Sequence, residues 1–344
     1  LFSSELLIIY LFLPTEFQFF EIDMLSRRHL RIKVLQGLYA FVQSGNDRLD
    51  SGERELMKSL DKLYELFIFQ LSFLVELKKF AENRIEEARH KFYPTEQELN
   101  PSLKFIQNRI LLLLSENRYL QTEKKRLRIS WADQKDLIRI VYNKIRESSI
   151  YNDYMESSGD SFETDRELLV KLIKRKFSKL ESLHYFYEEK YVFWSDDYFL
   201  SNLLLIKTIN RMDPDVDEYW KFPQLIESQN EKYNEGDIEF IKTLFRKCIL
   251  RDKEFGELIR EKLKNWEMER LAIMDILILK MALVELLECK SIPVKVSLNE
   301  YIELSKLFST PKSKVFINGI LDKLITELRD QKKIQKVGLG LIEN

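Results

Sequence analysis

Two short basic runs are the parts of this sequence most able to bind another molecule. The first run places Arg27, Arg28, His29 and Arg31 within five consecutive residues. The planar guanidinium of arginine donates two hydrogen bonds at once to a phosphate. A helix N-terminus favours acids rather than bases, so a basic first turn is locally unfavourable. The run therefore indicates either an anionic partner or a solvated basic helix end.

The second run precedes a strongly helical stretch near residue 320. It comprises Lys312, Ser313, Lys314 and Phe316, and Lys306 lies just upstream. Helix N-termini present free N–H groups to phosphates, and an aromatic side chain can stack on an unpaired base. Phe316 also fits the apolar stripe of the helix, so its role is open between base stacking and core packing.

No motif for catalysis or for cofactor binding accompanies these runs. The chain has 55 Lys and Arg against 56 Asp and Glu, so a nucleic-acid site would have to be a local patch. His29, His90 and His184 share no metal-ligand spacing, and Cys248 and Cys289 are too few for a zinc site. We therefore expect a cytoplasmic protein with reduced core cysteines that is not an enzyme and needs no cofactor or metal.

Long helices must position the basic runs. The 344 residues include only 9 Gly and 7 Pro, and no segment shows sustained strand alternation, which predicts an all-α fold. Apolar spacing predicts helices at 25–43, 53–92 and 133–148. A capping box, Ser297-x-x-Glu300, predicts the start of another helix.

Thr310 and Pro311 predict the start of the last long helix, with threonine as its cap and proline at its first position. Gly319 lies inside this helix, where glycine costs about 1 kcal/mol relative to alanine. We expect a neighbouring helix to approach closely there. Asn318 is open between a structural hydrogen bond and an RNA contact, and the structural role is preferred.

The two ends of the chain differ from the rest. Residues 6–13, LLIIYLFL, are apolar but too few to span a bilayer, and no membrane association is expected. We expect residues 1–23 to be a non-native upstream extension or disordered, with the protein starting at Met24. Residues 331–344 are expected to form a flexible tail.

The middle of the chain contains a repeat. Residues 165–194 align with 237–266 at an offset of 72 without gaps, matching both tryptophans and the acidic starts. The similarity continues, so that 165–209 resembles 237–281, which indicates an internal duplication. Residues 149–163 are the best internal linker.

Four stretches resemble the NusB family of transcription antitermination factors. They are RRHLRIKVLQGLY (27–39), NWEMERLAIMDILILKMALVELL (265–287), IPVKVSLNEYIELSKLFS (292–309) and KSKVFINGILDKL (312–324). The resemblance implies a NusB-like helical bundle enlarged by an inserted helical region with a repeat of the third-helix segment. The implied parts are N-terminal helices at 24–80, the insertion at 81–230 and the C-terminal bundle at 231–330.

The resemblance also implies function. NusB-like proteins bind a boxA-like single-stranded RNA element of ribosomal RNA transcripts together with NusE, a small-subunit ribosomal protein, within the transcription elongation complex. The implied RNA-binding residues are Arg27, Arg28, His29, Arg31, Lys306, Lys312, Ser313, Lys314 and Phe316. The implied NusE-binding residues are Tyr39, Glu269 and Asp275. The runner-up is a NusB-like protein adaptor that has lost RNA binding.

Two of these assignments have alternatives. Asp275 lies in an apolar helical run, where a buried unpaired carboxylate would be costly. It therefore either meets a basic partner at the rim or is satisfied inside the fold. The KKRLR cluster (124–128) matches no family residue, and it either extends the RNA track or forms a solvated face, which is preferred.

Overall fold

The computed structural model describes residues 24–226, 236–263 and 271–342, and the expectation for residues 1–23 lies outside these ranges. Every regular element in the described ranges is helical, which confirms the all-α prediction. The helices are α1 (Arg27–Gln43), α2 (Leu49–Arg89), α3 (Glu96–Leu99), α4 (Arg109–Glu116), α5 (Arg118–Arg126), α6 (Lys135–Arg146), α7 (Ser149–Glu156), α8 (Phe162–Arg175), α9 (Glu181–Lys190), α10 (Val192–Arg211), α11 (Asp237–Leu250), α12 (Asp252–Lys262), α13 (Ile273–Glu288), α14 (Val294–Phe308) and α15 (Ser313–Asp330), with 3-10 turns at Phe177–Lys179 and Gly338–Leu341. None of the described helices is both long enough and apolar enough to cross a membrane.

Two predicted helix starts are wrong. Helix α14 begins at Val294, directly after Pro293, so Ser297 lies inside the helix and does not cap it. The Ser297 hydroxyl instead donates to Glu285 in the core. Helix α15 begins at Ser313 rather than at Pro311, because residues 310–313 form a turn in which the Ser313 N–H donates to the Thr310 carbonyl at 2.9 Å.

The chain divides into two compact units. Asp61–Pro223 belongs to the first, which we call the middle unit. The described residues before Asp61 and from Gln224 onward belong to the second, which we call the C-terminal bundle. The predicted limits of the insertion, 81–230, stay a prediction about how the chain was enlarged.

Helix α13 is the centre of the C-terminal bundle. It is apolar on all sides, which is typical of a helix enclosed by others. Helices α1, α11, α12, α14 and α15 all pack against it. Leu279, Met281 and Leu283 on α13 are fully buried, and α1 contributes Leu30 and Val34 to the same core.

Part of the tail that follows α15 contacts the end of α13, and the flexibility expected for residues 331–344 stays a prediction. The Lys336 ammonium donates to the carbonyls of Glu285 and Cys289, at 3.2 and 2.9 Å, where α13 ends. A cation at a helix C-terminus satisfies carbonyls that have no partner within the helix. The Val337 N–H also donates to the Lys290 carbonyl at 3.0 Å.

The middle unit has an aromatic core. Phe69 and Phe73, on the part of α2 that belongs to this unit, both contact Trp131, with ring centroids 4.6 and 4.8 Å apart. Phe177 contacts Phe73, and Trp194 contacts Phe69. These rings hold the segments around α5, α8 and α10 onto α2.

The proposed repeat coincides with matching helices. Helices α8, α9 and α10 follow one another at positions that match α11, α12 and α13 at the offset of 72. Asp165 and Asp237 are both buried, and each lies near an arginine at the start of an earlier helix, Arg109 at 3.5 Å and Arg27 at 3.4 Å. The duplication itself stays a prediction.

Candidate nucleic-acid interface

Arg31 is part of a buried ion pair in the C-terminal bundle. Its guanidinium donates to both carboxylate oxygens of Glu285 at 2.7 Å, and the two side chains are only 3% and 0% exposed. The hydroxyls of Ser297 and Tyr301 donate to the same carboxylate at 2.7 and 2.9 Å. Burial alone would raise the pKa of Glu285, but Arg31 and the two hydroxyls hold it below its usual value. The expected RNA contact of Arg31 is therefore corrected to a structural role.

Arg27 and His29 are buried as well. The Arg27 guanidinium lies 4.2 Å from the centre of the Phe240 ring, and its Nε is 3.4 Å from Asp237. The Nδ1 atom of His29 accepts a hydrogen bond from the Ser26 N–H at 3.1 Å at the start of α1. An RNA strand could not reach either side chain without rearranging this helix end. We correct both residues from RNA contacts to parts of the folded helix start.

Arg28 is the member of the first run that solvent reaches. Its side chain is 27% exposed, and its guanidinium donates to both oxygens of Glu300 on α14, at 2.8 and 2.6 Å. A part-exposed pair contributes little net stability, so a phosphate can compete with Glu300 for this fork. Arg28 remains a candidate for RNA contact.

The turn between α14 and α15 carries the second basic run, which we call the lysine corner (Lys306, Lys312 and Lys314). All three side chains are exposed. Lys306 pairs with Glu303 one turn earlier, whereas no described residue forms an ion pair with Lys312 or Lys314. Phe316 is half-buried one turn into α15. The lysine corner thus offers two ammonium groups that the described fold does not use.

Asp275 is satisfied inside the fold. Its carboxylate is buried and accepts hydrogen bonds from the hydroxyls of Ser309 and Ser313, the latter at 2.8 Å. Ser313 is also buried, so its side chain holds the turn rather than facing solvent. The rim position expected for Asp275 is corrected to a position inside the fold, because two neutral hydroxyls already donate hydrogen bonds to its carboxylate.

The remaining predicted residues divide between the lysine corner and the part of the chain that is not described. Tyr39, near the end of α1, lines a shallow groove with the start of α13 and with Phe308, Ser309 and Thr310. Glu269 lies outside the described residues. Tyr39 and Asp275 therefore lie beside the lysine corner, although the sequence assigned them to a different surface.

Arg28 and the lysine corner lie at opposite ends of the bundle. Arg28 lies in the first turn of α1 and pairs with Glu300, whereas Tyr39 is 11 residues later and adjoins the end of α14. The helical rise of 1.5 Å per residue separates these ends by about 16 Å. A single ligand that touches both must be extended along the bundle.

The acidic partners of the arginines were missed in the sequence. Glu285 and Glu300 organise the start of α1, and neither appeared among the candidate residues. A signal was present for Glu285, which is a lone acid in the apolar run MALVELL. A carboxylate at such a position requires a charged or hydrogen-bonding partner in the core.

Gly319 has a different role from the one expected. Its position is exposed, and a Cβ added there would meet no atom of the described residues within 4 Å. The expected close approach of a neighbouring helix is therefore wrong. The neighbouring Asn318 side chain donates to Asp322 at 3.1 Å on the same helix face, a local structural hydrogen bond.

Replacing Gly319 by alanine is expected to stabilise the protein by about 1 kcal/mol, because alanine restricts the unfolded chain and favours the helix. The measurement is the urea midpoint of the variant against the parent chain. Asn318→Ala serves as a control on the same face and should change stability by less than about 0.5 kcal/mol. A lower midpoint for Gly319→Ala would restore the packing explanation.

Comparison with known proteins identifies relatives of the last part of the chain. The chain has the architecture of an all-helical protein whose last helices surround an apolar α13 and present a basic turn. The model of the NusB family matches residues 199–326. Transcription antitermination protein NusB of Salinibacter ruber is 41% identical over 104 residues, 30% of this chain and 65% of that protein.

Two further relatives carry the same name. The protein of Chloroherpeton thalassium is 36% identical over 105 residues, which is 30% of this chain and 50% of that protein. The protein of Natranaerobius thermophilus is 34% identical over 116 residues, which is 34% of this chain and 83% of that protein. This chain belongs to the NusB family. It spans less than two thirds of the first two relatives, and no solved structure matches it.

Proposed function

We propose that this chain is a transcription antitermination factor that binds a boxA-like single-stranded RNA element of ribosomal RNA transcripts together with NusE, within the elongation complex and in the cytoplasm. Its work is assembly rather than catalysis. The observation that carries the proposal is the pair of exposed ammonium groups, Lys312 and Lys314, for which the described residues provide no carboxylate.

The proposed RNA contacts follow from exposure and charge. Lys312 and Lys314 bind phosphates at the start of α15, and Lys306 adds a third cation to the corner. Phe316 is half-buried, and the part of its ring that solvent reaches stacks with an unpaired base. Arg28 binds a phosphate at the other end of α1 by exchanging Glu300 for the ligand. The separation of about 16 Å between the two ends of α1 favours an extended single strand over a compact ligand.

The proposed protein contact lies beside the same corner. The groove next to Tyr39 offers Ile273, Met274 and Phe308 as apolar contacts, and the tyrosine ring and hydroxyl suit an interface. We propose that NusE occupies this groove. Asp275 acts there only indirectly, by holding the turn that forms one wall.

A second candidate function is a NusB-like adaptor that binds proteins but not RNA. The burial of Arg27, His29 and Arg31 favours it, because three of the four residues in the first basic run are committed to the fold. A titration of the full chain with boxA RNA, with and without NusE at low salt, separates the two candidates. Absence of binding in both titrations would favour the adaptor.

Lys312→Asp tests the RNA contact directly. We expect affinity for boxA RNA to fall on the order of tenfold at low salt, and the slope of log affinity against log salt to shrink by about 0.7, because one phosphate contact is lost. The measurement is fluorescence anisotropy over a salt series.

Lys323→Asp is the matched control, since Lys323 is exposed on the same helix and no described residue pairs with it. The control should retain the parent affinity within about twofold. Equal losses in the two variants would show that the lysine corner is not the contact.

A further inference from the structure

The middle unit carries a second basic surface that the family resemblance does not reach. The first part is the end of α5 and the turn after it, with Lys125 and Arg128 exposed. The second is the end of α8 and the 3-10 turn after it, with Lys174, Arg175 and Lys179 exposed and Lys176 partly so. No described residue forms an ion pair with any of these six side chains. We call the two parts together the middle basic surface.

The two parts converge on one side chain. Trp131, three residues after Arg128, packs against Phe73, and Phe177, in the middle of the second part, packs against Phe73 as well. The ring centroids lie 4.8 and 5.8 Å from that of Phe73. Both turns are therefore anchored to the same side chain in the core of the middle unit.

The proposed repeat provides a comparison within the same chain. At the offset of 72, Lys174, Arg175 and Lys179 correspond to Arg246, Lys247 and Arg251. In the C-terminal bundle each of those three cations forms an ion pair, with Glu53, with Glu288, and with Glu254 and Glu288. The middle unit keeps the cations at these positions without the acids. Ion pairing within the fold therefore does not explain them.

Helix ends explain only part of the charge. Lys and Arg near a helix C-terminus interact favourably with the exposed carbonyls. Arg128 lies beyond the end of α5, at a φ of 54°, in the left-handed region where glycine is the usual residue. An arginine there is less favourable for the backbone than glycine. Its presence points to a use for the side chain.

We propose that the middle basic surface binds the phosphate backbone of RNA independently of base sequence. A group of exposed Lys and Arg that form no ion pair with any described residue matches the regular negative charge of a nucleic-acid backbone. The choice of RNA rests on the proposed function, since a factor bound at boxA has the flanking transcript within reach. The surface would then strengthen binding to RNA of any sequence.

The test uses the full chain and a single-stranded RNA that lacks a boxA-like element. The variants are Arg175→Glu with Lys179→Glu, and Lys125→Glu with Arg128→Glu. We expect each pair to weaken binding on the order of tenfold and to reduce the salt slope by about 1.4, for two contacts on a single strand. Thermal unfolding checks that each variant is folded.

The matched control is Lys144→Glu with Arg146→Glu. These two cations are also exposed, end α6 in the same unit and have no ion pair among the described residues. The control makes the same change in net charge and should retain affinity within about twofold. Equal losses in control and test variants, or no loss in either, would overturn the proposal. Binding of the parent middle basic surface to an acidic protein but not to RNA would overturn it too.

Two further observations separate this proposal from the proposed function. BoxA RNA that binds no more tightly than the unrelated RNA would contradict the proposed function, whereas the middle basic surface is tested by the losses measured on the unrelated RNA alone. Arg128→Gly should raise the unfolding temperature, because glycine suits the left-handed backbone, and should still weaken binding to the unrelated RNA. A stabilised Arg128→Gly protein with full affinity would count against the surface.

Discussion

Arg31→Met is expected to lower the free energy of unfolding by about 3–5 kcal/mol, because it leaves the Glu285 carboxylate buried without its cation. Ser297 and Tyr301 would still donate to Glu285, but neutral hydroxyls cannot replace the guanidinium. The measurement is urea unfolding followed by far-UV circular dichroism.

The double variant Arg31→Met with Glu285→Leu is the informative control. Apolar replacement of a whole buried ion pair is often neutral, so most of the lost stability should return. The double variant should also keep its affinity for boxA RNA within about twofold of the parent, since Arg31 lies in the core. A stable double variant that no longer binds RNA would show that Arg31 contacts RNA after all.

The same pair determines a pH dependence. The pKa of Glu285 is lower in the folded protein than its ordinary value near 4.5, so the ionised form stabilises the fold above that pH. This stabilisation is lost as the pH falls from about 4.5 through the folded pKa. Glu285→Gln should therefore flatten the decline in stability on the acid side, as thermal unfolding at several pH values would show.

Asp275→Ala is expected to cost about 2 kcal/mol, because hydrogen bonds to a buried charged group contribute about 1.5–3 kcal/mol. The carboxylate joins the start of α13 to the turn before α15 through Ser309 and Ser313. Its loss should loosen the lysine corner as well as the fold. The measurements are the unfolding midpoint and the affinity for boxA RNA.

The control for Asp275→Ala is Asp322→Ala. Asp322 is an exposed acid on α15 that accepts a hydrogen bond from Asn318, so its loss should change stability by less than about 0.5 kcal/mol. If Asp275→Ala left the unfolding midpoint unchanged but abolished NusE binding, the rim assignment made from the sequence would be correct.

Elements with strong local signals were predictable. The apolar spacing of 25–43 and of 53–92 matches α1 and α2 to within four residues at every boundary. Helix boundaries that were predicted from capping residues alone were not predictable. Ser297 has the spacing of a capping residue, but its hydroxyl donates to Glu285 in the core. Thr310 forms a turn with Ser313 and does not cap α15.

The candidate site was predictable in charge but not in exposure. The residues of the first run were recognised as a group of donors, yet a pattern of arginines does not show whether each one faces water or an acid far along the chain. Glu285 and Glu300 are more than 250 residues from their partners. Only folding brings them together, and it leaves Arg28 accessible while it encloses Arg31.

By itself, the sequence determined the helical class, the family and the location of the two basic runs. These properties follow from local periodicity and from residue identities at fixed spacing, which do not depend on distant contacts. The tertiary structure decided which cations are free. Charges such as Arg31 and Lys312 look alike in a sequence, but a buried carboxylate neutralises one, and no described carboxylate pairs with the other.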